Sequence, residues 1–216
     1  LKATNGGAIL VEGSGGGSNQ GIFVQNSDFL VTSGSITLDG GTNGIFNKNT
    51  GNTYGFRSGS DITSSSADIV FRGDAIVVEA GGTATTLNTT GTITLEPSGA
   101  SFTSSLSYPV ANLSVNSIVG GLILGKDDNT AGITLDEAIT VSGPISLFGG
   151  DIAIESDLNV GENILTLDAT GAVTQTSGSG ITAGTLKLLN EGDFTLTETT
   201  NAVTKLEVGT DSEAVG

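Results

Sequence analysis

Residues 132–211 fall into four consecutive units: GITLDEAITVSGPISLFGG (132–150), DIAIESDLNVGENILTLDATG (151–171), AVTQTSGSGITAGTLKLLNEG (172–192) and DFTLTETTNAVTKLEVGTD (193–211). Each carries apolar–polar–apolar triplets such as Ile133-Thr134-Leu135, Ile152-Ala153-Ile154 and Phe194-Thr195-Leu196. Alternation with a period of two marks a strand with one buried face. Gly, Asp or Asn follows almost at once, so the chain bends after every short strand. The first strands of successive units start at Leu113, Ile133, Ile152, Val173 and Phe194, at spacings of 20, 19, 21 and 21. Within a unit the strands start at Ile133, Ile139 and Ile145, then at Ile152, Leu158 and Leu165.

Three short strands in a period of ~20 residues are the pattern of a β-solenoid coil. The expected fold is therefore all-β, a right-handed parallel β-helix with three short strands per coil. The outer members of each triplet should point inward and the middle one to solvent. At ~20 residues per coil the chain would hold ten or eleven turns. An antiparallel sandwich would instead place hairpins at dipeptides such as Asp39-Gly40 and Asn43-Gly44. Those occur in the first half and leave the regular spacing of the second unexplained.

Working outward, residues 113–211 read as regular coils and residues 1–112 as the same solenoid with longer corner loops. Triplets persist there at Ile9-Leu10-Val11, Phe29-Leu30-Val31 and Ile36-Thr37-Leu38, between a glycine run (Gly15-Gly16-Gly17) and an Asn- and Gly-rich segment (40–60). Phe46 to Arg57 is the best candidate for a projecting loop. No boundary or linker interrupts the pattern. Residues 1–216 are expected to form one solenoid segment of something longer.

Composition narrows the chemistry. Seven basic against 23 acidic residues give a net charge of −16. Nucleic acid is not an expected partner, because phosphate binding needs clustered Lys and Arg. No apolar run approaches the ~20 residues of a membrane-spanning helix, so membrane insertion is not expected either. The chain has no His, Cys, Met or Trp. That removes the imidazole and sulfur ligands of zinc and copper sites and any histidine base.

The strings GSITLDG (34–40), GDIAIESDLNVGENILTLDATGAVTQTSGSGITAGTLKLLNEG (150–192) and GDFTLTETTNAVTKLEVGT (192–210) resemble the repeats of large bacterial exoproteins of the filamentous haemagglutinin type. The resemblance covers Leu113 to Gly209 well and the first half weakly. It implies secretion, display at the bacterial surface as a long fibre, and adhesion to a host-cell, matrix or glycan surface. The expected function is a structural shaft of such an adhesin. A subunit that stacks end to end with copies of itself is the alternative, since open strand edges invite pairing.

An enzyme is not expected. Polysaccharide-cleaving β-helices combine Asp clusters with a His and an Arg-x-Lys element, and neither Arg57 nor Arg72 sits in that context. No cofactor is expected, with calcium as the one possibility. Hard cations take several oxygen ligands, which an acidic turn can supply. Asp127, Asp128 and Asn129 form the first candidate set, and Asp136 with Glu137 the second. The EF-hand spacing fails, because Ala131 occupies its third ligand position. For partner contact the candidates are Tyr54, Phe56 and Arg57, an aromatic and guanidinium group on the expected loop. Thr134, Thr174 and Thr195 should share one outward row with Ser114 and Ala153, the last of which interrupts it. Thr is a good strand residue on its own account.

Overall fold

The computed structural model describes residues 1–3, 6–14, 20–48, 66–79, 85–115 and 119–209, together with the backbone of 55–58. Among them every strand pairing is parallel, and the one helical element is a 3-10 turn at Gly41–Asn43. The protein is a β-solenoid. The described residues form 24 strands, β1 to β24 in chain order, which wind over three faces.

The main face is continuous. It stacks β2 (Ile9–Glu12), β5 (Ile36–Asp39), β8 (Ile69–Arg72), β11 (Thr92–Glu96), β14 (Gly121–Leu124), β17 (Ile145–Gly149), β20 (Ile164–Ala169), β22 (Ile181–Leu189) and β24 (Ala202–Gly209). Its register runs Ile9, Ile36, Ile69, Ile93, Leu122, Ile145, Leu165, Leu186, Leu206. Along this row the steps are 27, 33, 24, 29, 23, 20, 21 and 20 residues. The chain thus makes about seven full turns before β24. The period near 20 holds only toward the C-terminus, because longer corners absorb residues in the first half.

Among the described residues both side faces are interrupted once. One stacks β1 (Lys2–Ala3), β4 (Phe29–Val31), β7 (Gly55–Ser58), β10 (Thr85–Asn88) and β13 (Leu113–Val115). It resumes as β16 (Ile139–Thr140), β19 (Leu158–Asn159) and the first part of β22. The other stacks β3 (Ile22–Gln25), β6 (Ile45–Lys48) and β9 (Ile76–Glu79). It resumes as β12 (Leu106–Tyr108), β15 (Ile133–Leu135), β18 (Ile152–Ile154), β21 (Ala172–Gln175) and β23 (Asp193–Thr195).

The triplet rule holds. Ile36, Leu38, Ile93, Leu95, Ile152 and Ile154 are fully buried, while Thr37, Thr94 and Ala153 between them face outward. Burying each such side chain is worth ~1.5–3 kcal/mol. One assignment shifts. The row of Ile133, Ile152, Val173 and Phe194 is preceded by Leu106, and Leu113 belongs to another face. The outward row is accordingly Ser107, Thr134, Ala153, Thr174, Thr195.

Corners set the spacing between faces. The described non-glycine residues with positive φ are Asn26, Asn112, Asp128 and Asn190, the types that tolerate the left-handed region. Gly143 serves a different need. A Cβ there would run into the carbonyl oxygen of Gly120 on the turn below.

Two substitutions test this packing by urea unfolding. Leu122→Ala should cost ~2–5 kcal/mol by opening a cavity. Gly143→Ala should cost ~1–3 kcal/mol by forcing two turns apart.

Candidate functional site

The acidic turn and the outer-face hollow beside it form the best-built surface feature. The turn begins at Gly125 (φ 79°), passes Asp128 (φ 69°), and closes with Asn129 N–H donating to Lys126 C=O at 3.0 Å. Lys126 Nζ donates to Ser98 C=O at 3.2 Å and so leans across the preceding turn. Asp127 and Asp128 are exposed.

Asn129 is not a partner of those two carboxylates. It is 3% exposed. Its Oδ1 accepts from Ser101 Oγ at 2.9 Å and from Phe102 N–H at 3.2 Å, and its Nδ2 donates to Phe148 C=O at 2.7 Å. The side chain therefore bolts three successive turns together. The expected calcium set Asp127, Asp128 and Asn129 separates into two exposed carboxylates and one committed buried amide. Asp136 and Glu137 are likewise both exposed. Among the described residues no group of three or more acidic side chains is arranged to hold a metal ion.

The hollow has a volume of about 390 Å³ and is lined by Val70, Arg72, Ile123, Gly125, Lys126 and Phe148, among others. Glu96 and Gly125 line it from successive turns, and a Cβ on Gly125 would run into the carbonyl oxygen of Phe148. Arg72 is in register with Glu96. Its Nε donates to Glu96 Oε1 at 2.6 Å and its Nη1 to Asp39 Oδ2 at 3.3 Å, so one guanidinium spans three turns. The hydrogen bond to Glu96, foremost, and the charges of Glu96 and Asp39 raise its pKa against the opposing effect of burial. Phe148 presents a half-buried ring beside these charges. The arrangement offers an aromatic surface with both donors and acceptors at its rim.

Tyr54 lies outside the described residues. Phe56 and Arg57 do not stand on a projecting loop. They belong to β7, where Phe56 is in register with Phe29 and Leu87, and Arg57 with Leu30 and Asn88. The expected loop from Phe46 to Arg57 likewise begins inside β6.

Three residues with a role here carried no sequence signal that singled them out: Arg72, Phe148 and Tyr108. Tyr108 is 4% exposed, and burial holds its phenol well above the ordinary tyrosine range. On the outer face at the far end, Glu207 pairs with Lys205 at 2.5 Å and with Lys187 at 3.2 Å. Hydrogen bonds from these two lysines, Lys205 first, lower the pKa of its carboxyl.

No protein-family model, curated protein or solved structure matches this chain.

Asn129→Ala should lower stability by ~2–4 kcal/mol, because Phe148 C=O and Ser101 lose a buried partner. Asp127→Asn and Asp128→Asn should stay within about 0.5 kcal/mol of the parent chain. Urea midpoints read both. Tyr108 predicts an alkaline limit. The unfolded chain ionises first, so stability declines as pH rises past ~10, and Tyr108→Phe should remove that decline. Phenolate absorbance and unfolding followed against pH check it.

Proposed function

We propose that this chain is a load-bearing shaft of an extracellular fibre or adhesin, with surface contacts carried at its corners. The observation that carries this reading is the unbroken main sheet, in which every turn from β2 to β24 is hydrogen-bonded to the next. Tension along the axis is shared among parallel ladders, and the aliphatic column beneath them resists separation of turns. The rod rises ~4.8 Å per turn and is roughly 40 Å long over this segment. The charge of −16 keeps such a surface hydrated and self-repelling. The repeat texture shared with haemagglutinin-type exoproteins supports the same reading. The hollow beside Phe148 is the contact surface of choice for a glycan or protein, since its ring and mixed charges favour polar ligands with an apolar face.

Pulling the chain from its two ends by force spectroscopy tests the proposal. Stepwise rupture, releasing roughly 70–110 Å of contour per coil, is expected from the register steps at ~3.4 Å per residue. Featureless extension at thermal forces would overturn it.

A further inference from the structure

The hollow beside Phe148 is built from two rows on the outer side of the main face. Val70, Thr94 and Ile123 are register partners on β8, β11 and β14, and each is half-buried. They form a largely apolar floor. Ser146 is next in that row, and Phe148 lies two residues further along β17, so its ring stands on the same outer side. Arg72 and Glu96 are register partners in the second row, on earlier turns. Lys126 and Asp127, on the corner that follows β14, complete the rim. The rim is fixed before any ligand arrives. Glu96 and Asp39 hold the Arg72 guanidinium, and Ser98 C=O holds Lys126 Nζ at 3.2 Å. Among the described residues these bonds leave both cations with further N–H donors to offer.

Ligand class follows from what this lining matches. Arg72 and Lys126 balance Glu96 and Asp127, so the lining is formally neutral and favours neither a polyanion nor a cation. A peptide strand has no edge to join here, because β8, β11, β14 and β17 each already pair on both sides. A stable protein interface takes ~800 Å² per partner, and the hollow is far smaller. Four rungs by two rows cover only ~14 Å by ~7 Å. A lipid chain would strip water from four charged groups and replace none of their hydrogen bonds. The chemistry that fits is a ring with apolar C–H faces and a circumference of hydroxyls that both donate and accept. That is a pyranose. Its C–H groups suit the negative face of the Phe148 ring and the aliphatic floor. Its hydroxyls donate to Glu96 and Asp127 and accept from Arg72 and Lys126, all charge-assisted bonds.

We propose that this hollow binds a neutral oligosaccharide, packed against Phe148 and held at its rim by Arg72, Glu96, Lys126 and Asp127. The proposal deepens the contact surface named above and rests on that reading, not on the load-bearing one. A volume of about 390 Å³ lies at the small end of the ~300–1,000 Å³ range of ligand sites and suits roughly two sugar rings. Because the rim is already pinned, little side-chain freedom is lost on binding.

The test is amide NMR of the whole 216-residue chain, titrated in turn with cellobiose, lactose and N,N′-diacetylchitobiose. Saturable shifts of the Gly125, Lys126 and Asp127 amides by at least one sugar, with a Kd near about 1 mM, are the expected result. Phe148→Ala should weaken that binding at least about tenfold. Phe148 is half-buried on the outer side, so circular dichroism should show the variant folded. If it unfolds, the shift map on the unaltered chain still decides the question. No shift at about 10 mM of any of the three sugars would overturn the proposal. Shifts confined to other turns, or equal affinity in Phe148→Ala, would overturn it as well. Tighter binding of heparin or spermine at the same amides would overturn it too, by making the ligand a charged one. None of these outcomes touches the rupture pattern under force, so failure here leaves the shaft reading to its own test.

Discussion

Each turn of this molecule is held by the turn beside it. No single coil can bury its own inward aliphatic side chains, because the residues that would cover them lie one turn away in the chain. The parallel backbone ladder solves both problems at once. It satisfies the amides and fixes the register, so that Ile36 meets Ile69 and Ile69 meets Ile93. Stability is then a sum of nearest-neighbour contacts along the axis. The main face obeys this without exception, and that continuity lets each side face break once without dividing the core.

Corners follow a different chemistry. Some of their amides bond to backbone carbonyls of the same or the next turn, and others are satisfied by side chains. Asp74 accepts from Gly99 N–H at 2.6 Å, and Asn129 links Ser101, Phe102 and Phe148. Near the other end Gln175 and Asn201 exchange amide bonds at 2.8 and 2.9 Å. One polar group inside the column is less well served. Asn47 is in register with Val24 and Val78, and its Oδ1 accepts from Thr85 Oγ1 at 2.8 Å, while its Nδ2 has no partner among the described residues. An unpartnered buried donor costs ~1–3 kcal/mol.

The strands were legible in the sequence because a two-residue period is a local property, readable from three letters at Ile93-Thr94-Leu95. Pairing was less so, because register depends on corner length. Leu113-Ser114-Val115 has the texture of the Ile133 row. Yet the corner before it carries one residue more, and Leu106-Ser107-Tyr108 takes that place in the ladder. The acidic turn misled for a related reason. Asp127, Asp128 and Asn129 are equally polar as letters, but only the third points inward, a matter of corner geometry that composition does not encode. Arg72 and Phe148 acquire their surroundings from neighbouring turns, at separations from 19 to 33 residues, so no local motif marks them.

Rise per turn is set by the ladder and does not depend on how many residues a turn contains. The steps along the main face are 27, 33, 24 and 29 residues over the first four turns and 23, 20, 21 and 20 over the last four. Mass per unit length must therefore drop by roughly a quarter along the axis while the pitch stays constant. The protein is a tapered rod whose girth is written in its corners, and insertions there can thicken it locally without lengthening it or disturbing the stack.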